Sequence, residues 1–355
     1  MPSKIIQLLR LSYNGSTSSI RIRNDLSEEF VIQTGVRQGD VASPLLFNIV
    51  IDSIMRKVFE KRHGVKYDVT NCLTDLMFAD DSAVLTDTDN DATDILKDIA
   101  HTAQSYGLQI NAEKTKVITT DGSTANVFLN GTQIEQVKEF KYLGSLVQEK
   151  RIASTNEVHS RIGQATAAFA SLKWCIWKKG NISTKTKIRL YRTLILPILL
   201  YGSETWTLLK TDINKLEAFQ MRCLRQILGV SIRDHYQNEI IRMRCDQQRT
   251  IEEQIQKQRQ QWFGHICRMS THRLPYRLLW RKRPQSWRVQ RSAPKKTWLK
   301  NVEEDLKSQR LSIDEARVIA GDRQEWRRVV NAVRDPVAPT AAYWLRGRPT
   351  HPIAC

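Results

Sequence analysis

No apolar run in this 355-residue chain approaches the roughly 20 residues needed to cross a bilayer; the longest candidate is Leu194 to Tyr201. The N-terminus also lacks the charged-then-apolar layout of a signal peptide, so the expected location is intracellular, in nucleus or cytoplasm. The six cysteines lie far apart, with no CxxC pair and no companion histidines at zinc-site spacing. A zinc fold is therefore not expected, since His265 and Cys267 would supply only half of a tetrahedral site. Acidic residues are missing altogether from Thr271 to Lys300, where ten Lys or Arg are interleaved with Tyr276, Trp280, Trp287 and Trp298. That mixture suits phosphate neutralisation plus base stacking, although a solvated basic surface with inward-packed tryptophans has the same composition.

What the chain does contain is unevenly spread. Net charge is +18, yet residues 1 to 120 carry 13 basic and 16 acidic side chains, leaving a net +21 on the rest. Acidic chemistry is expected in front and polyanion attraction behind. The leading part has mixed periodicity. A short helix is expected over Met1 to Arg10, then a hairpin of Ser19 to Arg23 with Phe30 to Gln33, placing Asp25 in its turn. A buried helix should begin at Ser43, as N-cap, with Pro44 in its first turn, and run to about Lys61. Leu73 to Phe78 and Ser82 to Thr86 read as strands, Asp91 to Tyr106 as an amphipathic helix stopped by Gly107. Asn130-Gly131 signals a type I′ hairpin over Val127 to Ile134, with Glu139 to Val147 continuing the sheet. Beyond a boundary near Glu149 to Thr155 the pattern turns helical: Val158 to Trp177, Thr184 to Tyr201 with a kink at Pro197, Thr211 to Leu228 closed by Gly229, and Glu239 to Met269. Leu274 to Trp298 reads as a loop or arm, followed by helices around Trp298 to Leu306 and Ile313 to Val333. No internal repeat is visible.

The sharpest chemical feature is Phe78-Ala79-Asp80-Asp81, two adjacent carboxylates where two apolar strands turn back. Burying like charges side by side is costly, so such a turn is expected to hold a divalent cation; an exposed hairpin turn, which also favours Asp, is the competing reading. Its companions are Gly35-Val36-Arg37-Gln38-Gly39-Asp40 followed by Ala42 to Asn48, Gly107 to Asn111 followed by Glu113-Lys114-Thr115, and Phe140-Lys141-Tyr142-Leu143-Gly144. In this order they resemble four successive motifs of reverse transcriptases, most closely those of non-LTR retrotransposons. Tyr201 to Trp206, Trp262 to His265 and Asp322 to Arg327 resemble the downstream part of the same reading frames more weakly, with no chemistry attached.

The resemblance implies an α+β fold: a partial right-hand polymerase palm (residues 1–150), a thumb-like helical domain (151–230) and a basic C-terminal region contacting nucleic acid (231–355). It implies an RNA-directed DNA polymerase acting on an RNA template, a DNA primer and dNTPs by two-metal phosphoryl transfer with Mg²⁺ or Mn²⁺. Asp80 would bind metal, with Asp81 as its weaker partner. Arg37, Gln38 and Gly39, with Phe78 and Ala79, would meet template and nucleotide, Lys114 would stand near the leaving pyrophosphate, and Phe140 to Gly144 would grip the primer end. Arg281, Lys282, Arg283, Arg288, Arg291, Lys295 and Lys296 are the expected nucleic-acid arm. The family carries a further metal-binding Asp on an upstream strand, and nothing between Met1 and Thr34 fits it. The chain therefore reads as starting in the middle of a domain, with little or no polymerase activity expected from it alone. The alternative is a non-catalytic RNA- or DNA-binding remnant. A scaffold without nucleic acid conflicts with the basic rear portion, and an appended nuclease would need more than the lone Arg334-Asp335-Pro336.

Overall fold

In the computed structural model, residues 2–149, 154–281 and 296–332 are described, and they part into two compact units. The first comprises the described residues up to 66, 72–116 and 125–135; the second comprises 67–71, 117–124 and the described residues from 136 onward.

In the first unit, α1 (Ser3–Tyr13) leads into four two-residue strands, β1 (Thr17–Ser18), β2 (Arg21–Ile22), β3 (Asp25–Leu26) and β4 (Phe30–Val31). β1 pairs antiparallel with β4 and encloses the β2–β3 hairpin. The expected single hairpin is thus two nested ones. Asp25 is a strand residue opposite Ile22, and the turn falls on Arg23-Asn24, with Arg23 at φ +57°. α2 (Ser43–Phe59) starts one residue earlier than expected: Ala42 is the N-cap and Pro44 lies in the first turn. Ser43 instead is buried, its hydroxyl 3.1 Å from the Tyr13 hydroxyl, while Asp40 Oδ1 accepts the Ala42 N–H. Short strands β5 (Val65–Lys66) and β6 (Cys72–Leu73) pair, and β7 (Asp75–Phe78) pairs with β8 (Asp81–Val84). α3 (Asp89–Gln104) is capped by Thr88, whose hydroxyl accepts the Asp91 N–H. Gly107, at φ +72°, ends that helical stretch.

α2 and α3 pack together through Ile54, Met55, Val58, Ile95 and Ala103. Lys57 Nζ donates to the Tyr106 hydroxyl at 3.0 Å, and this bond, with that of Ser53, draws the phenol below its usual pKa. After β9 (Lys116–Val117), β10 (Phe128–Leu129) and β11 (Thr132–Gln133) form the expected Asn130-Gly131 hairpin, both turn residues having positive φ. Val127, Leu129 and Ile134 are buried beneath it. Elsewhere this unit leaves apolar side chains in water: α1 buries none, and Leu45, Phe78, Ile22 and Leu26 are all more than 60% exposed.

In the second unit, after β12 (Glu135–Gln136), β13 (Glu139–Tyr142) and β14 (Ser145–Gln148) make a separate two-stranded hairpin rather than a continuation of a larger sheet. Helices follow: α4 (Thr155–Ser171), α5 (Thr184–Leu190), α6 (Leu196–Leu199), α7 (Lys210–Leu228), α8 (Asn238–Arg244) and α9 (Ile251–Cys267). Wide π-type turns at Lys173–Trp177 and Tyr191–Ile195 replace the regular helix expected there, the second immediately preceding Pro197 in α6. A ring without an N–H cannot continue the preceding ladder, so the backbone widens before it. Gly229, at φ +71°, caps α7. The helix expected over Glu239 to Met269 is broken at Cys245–Arg249, and Thr250 caps α9 afresh with Glu253 in a reciprocal box.

Two cores result. The larger gathers Val158, Phe169, Trp177, Tyr191, Ile195, Leu216, Leu224 and the first half of α9, Ile251 and Ile255. The smaller gathers the second half of α9, through Phe263, with α11 (Trp298–Ser308), α12 (Ile313–Gly321) and α13 (Arg323–Asn331), after the short α10 (Leu274–Leu279). Trp326 is the plug of this smaller core: it lies against Gly264, where a Cβ would stand 2.1 Å from its Nε1. Its indole N–H donates to Gln260 O at 2.9 Å. The two downstream stretches that carried no chemistry, Trp262 to His265 and Asp322 to Arg327, thus serve one packing contact.

Candidate active site

The strand pair β7–β8 is in register Phe78↔Asp81, so Ala79-Asp80 is a two-residue turn. Ala79 sits at φ +53°, where its Cβ costs about 1–2 kcal/mol relative to ordinary backbone. That strained residue aims Asp80 off the tip while Asp81 heads the returning strand. Both carboxylates are exposed, and neither has a hydrogen bond or ion pair among the described residues. The expectation of buried like charges is not met: water screens the pair, and the fold needs no cation to tolerate it. Two acids of this kind suit a hard, oxygen-seeking divalent ion. Among the described residues, however, no group of three or more His, Cys, Asp or Glu could hold a metal. The donor set therefore falls short of a closed two-ion site.

Gly35 and Gly39, at φ +91° and +87°, bracket Arg37 and Gln38, and open space surrounds both glycines. Arg37 is tied back to α1: its guanidinium donates to Ser12 O at 2.6 Å and to the Ser16 hydroxyl, and lies 5.1 Å over the Tyr13 ring. Asp40 accepts the Tyr13 hydroxyl at 3.2 Å, so Tyr13 organises this segment, a role the sequence did not announce. Gln38 is exposed. Lys114 is exposed in the turn where Asn111 Oδ1 accepts its backbone N–H at 3.0 Å. Asp80 and Asp81 share one turn, but no side-chain hydrogen bond, ion pair or ring contact joins them to Gln38, Gly39 or Lys114 among the described residues.

In the second unit, Phe140 to Gly144 occupy β13 and its turn, with Leu143 and Gly144 both at positive φ. Arg161 and Glu157 of α4 and Tyr201 hold that turn; sequence reading missed all three. Between α4 and α7 lies a groove of about 1310 Å³ whose cations are Lys178, Lys215, Arg222 and Arg225, with Lys215 Nζ 2.6 Å from His159 Nε2. Its one acid, Glu217, is already paired with Arg242 at 2.7 Å. Of the expected arm, Arg281 and Lys296 are described, Lys296 pairing with Glu304 at 3.0 Å. Lys282, Arg283, Arg288, Arg291 and Lys295 lie outside the described residues. No helix among the described residues is long and apolar enough to cross a membrane.

Residues 2–147, from the first helix to the β13–β14 hairpin, match the family model described as reverse transcriptase (RNA-dependent DNA polymerase). Through that segment, the chain is similar to the reverse transcriptase family. A transposon-derived protein of Caenorhabditis elegans is 27% identical over 73% of this chain and 95% of its own length. The RNA-directed DNA polymerase from mobile element jockey of Drosophila funebris is 24% identical over 64% of this chain. The Pol polyprotein from retrotransposable element R2 of Popillia japonica is 25% identical over 61%. The resemblance to non-LTR retrotransposon reverse transcriptases, carried in the sequence by four motifs, is borne out by these relatives. The chain spans only 25% and 36% of the length of the latter two.

Proposed function

We propose that this chain carries the central and rear parts of an RNA-directed DNA polymerase of a non-LTR retrotransposon. The observation that carries the reading is the reverse transcriptase segment itself, with Asp80 and Asp81 unpartnered at the tip of a tight hairpin in the middle of it. The first unit would be palm, with Arg37, Gln38 and Gly39 facing template and nucleotide. Open space at Gly39 favours that role, because backbone can approach a base or sugar there. Lys114, its ammonium exposed and without a partner among the described residues, would neutralise a leaving phosphate. Phe140 to Gly144 would meet the primer end, and the basic α4–α7 groove and the rear cationic segment would hold RNA and DNA phosphates.

A divalent ion at Asp80 and Asp81 would supply charge neutralisation for phosphoryl transfer. With two carboxylates and no third among the described residues, this chain by itself should bind such an ion weakly and extend primers little or not at all. Purified protein given a primed poly(A) template with Mg²⁺ or Mn²⁺ tests this. Extension that disappears on Asp80→Ala would establish the polymerase and refute the inactivity.

The shortage of carboxylates favours a second reading, a non-catalytic nucleic-acid-binding protein. Both readings require affinity that falls steeply with salt. Neutralising Arg281, Lys282 and Arg283 should flatten the slope of log affinity against log salt by roughly 2 to 3. An unchanged slope would remove the arm from the interface.

A further inference from the structure

The turn of the β13–β14 hairpin does not stand on its own. Tyr142-Leu143-Gly144-Ser145 reverses the chain in two residues, Leu143 at φ +48° and Gly144 at φ +80°. Three side chains from elsewhere in the same unit bind its backbone. Arg161 donates to Gly144 O, Glu157 Oε2 accepts the Leu146 N–H at 2.7 Å, and the Tyr201 hydroxyl donates to Leu143 O at 3.0 Å. The three also bind one another: Arg161 Nε donates to Glu157 Oε1 at 2.6 Å, and the guanidinium lies 4.5 Å over the Tyr201 ring.

Arg161 and Glu157 are only 5% and 7% exposed, so this is a buried ion pair that also binds hairpin backbone, through one further donor of Arg161 and the second oxygen of Glu157. A buried pair is weak as a source of stability and strong as a source of geometry, because any other arrangement leaves a charge unpaired out of water. The fit is close on both sides. A Cβ on Gly144 would come within 3.2 Å of the Tyr201 ring, and one on Gly202, at φ +71°, within 3.2 Å of Ser145 Oγ. Tyr201-Gly202 and Leu143-Gly144 are thus two halves of one joint.

We propose that Arg161, with Glu157 and Tyr201, is a positioning residue that fixes the turn of the hairpin to α4, so that the primer-end contact and the helical bundle move as one body. This rests on the reading of the hairpin as a primer-contacting element. Arg161 touches no substrate in this role; it acts through Gly144 and Leu146. Lysine cannot replace it, since a single ammonium cannot span Glu157 and Gly144 O while stacking on Tyr201.

The test uses the full chain with a primed RNA–DNA duplex carrying 4-thiothymidine at the primer 3′ end. Affinity is read by anisotropy, and cross-linked peptides are mapped after irradiation. Tyr201→Phe removes one hydrogen bond at a ring that is 49% exposed and so leaves folding intact; Arg161→Lys keeps the charge. Wild-type protein should cross-link within Glu139–Gln148. Both variants should keep duplex affinity within about twofold while that cross-link falls, on the order of tenfold for Arg161→Lys, because displacement of about an ångström is enough to misplace a reacting end. Unchanged cross-linking in both variants overturns the positioning role. Wild-type protein that binds duplex but cross-links elsewhere overturns the primer-contacting reading, and protein that binds no duplex overturns the proposed function. Amide exchange at Leu146 tests the joint without nucleic acid: Glu157→Gln should speed it on the order of tenfold, the loss of one charge-assisted hydrogen bond. No change would overturn the joint.

Discussion

Replacing Gly264 by alanine should destabilise the protein, against the ordinary rule for helices. Gly264 lies inside α9, where exchanging glycine for alanine normally gains about 1 kcal/mol. Here the new Cβ would stand 2.1 Å from Trp326 Nε1 and 2.2 Å from its Cδ1. The indole must retreat by more than about 1 Å to reach ordinary contact. It has little room, being 3% exposed, tilted against Phe263 at 5.7 Å and hydrogen-bonded to Gln260 O. Overpacking of this kind costs about 1–3 kcal/mol, and full ejection of the ring costs about 3–5 kcal/mol, as for truncating a buried tryptophan. After the gain in helix propensity, the net loss should be about 2 kcal/mol.

Urea unfolding of Gly264→Ala, Trp326→Ala and the double variant closes a cycle. With the indole gone, the glycine exchange should become neutral or stabilising, giving a coupling of about 2 kcal/mol or more. Stabilisation by Gly264→Ala in the wild-type background would refute the socket.

Two further expectations follow from buried charge and buried thiols. Asp305 on α11 lies 3.3 Å from Arg259, with Oδ2 lacking an aligned donor; burial pushes its carboxyl up to about 6, Arg259 only partly opposing it, and burial likewise lowers the Arg259 pKa. Because the folded value exceeds the unfolded one, this group's contribution is complete below about pH 4 and is lost as pH rises through about 6, a fall of roughly 2–3 kcal/mol that Asp305→Asn should abolish. Denaturant melts at pH 4 and 7 check it, and equal slopes in the two proteins would contradict it. Cys223 and Cys245 are buried, with thiols pushed up to about 12, whereas Cys72 and Cys175 are exposed. A thiolate-selective reagent at pH 8 should modify the exposed pair and spare the buried pair until denaturant is added; equally fast labelling of Cys223 would count against the core.

Features written in local chemistry were legible in the sequence. Asn130-Gly131 turns as expected, Gly107 and Gly229 end their helices, and the two acids after Phe78 stand at a strand reversal. Partnerships between distant segments were not. Nothing local tells Thr17–Ser18 to pair with Phe30–Val31, or separates β13–β14 from the other ribbons, because a period of two gives a face but names no neighbour. Burial at the reversal was open in the sequence, where an enclosed cation-holding turn and an exposed hairpin turn competed; Phe78, 64% exposed, favours the exposed turn. Arg161 drew no reading from the sequence, and only the opposing Gly144 and Tyr201 give it meaning. Gly202 in the Tyr201 to Trp206 stretch was the available signal, a glycine where a joint needs close approach.

The helix α9 lends one half of its length to each of the two cores of the second unit. A helix this short persists in water only through what it packs on, since its nucleation is costly. Each core therefore keeps the other's share of α9 wound, and loosening Ile251 and Ile255 should be felt at Phe263 three turns away. The rear helices, whatever they contact, are mechanically geared to the bundle that holds the Tyr142 to Ser145 turn.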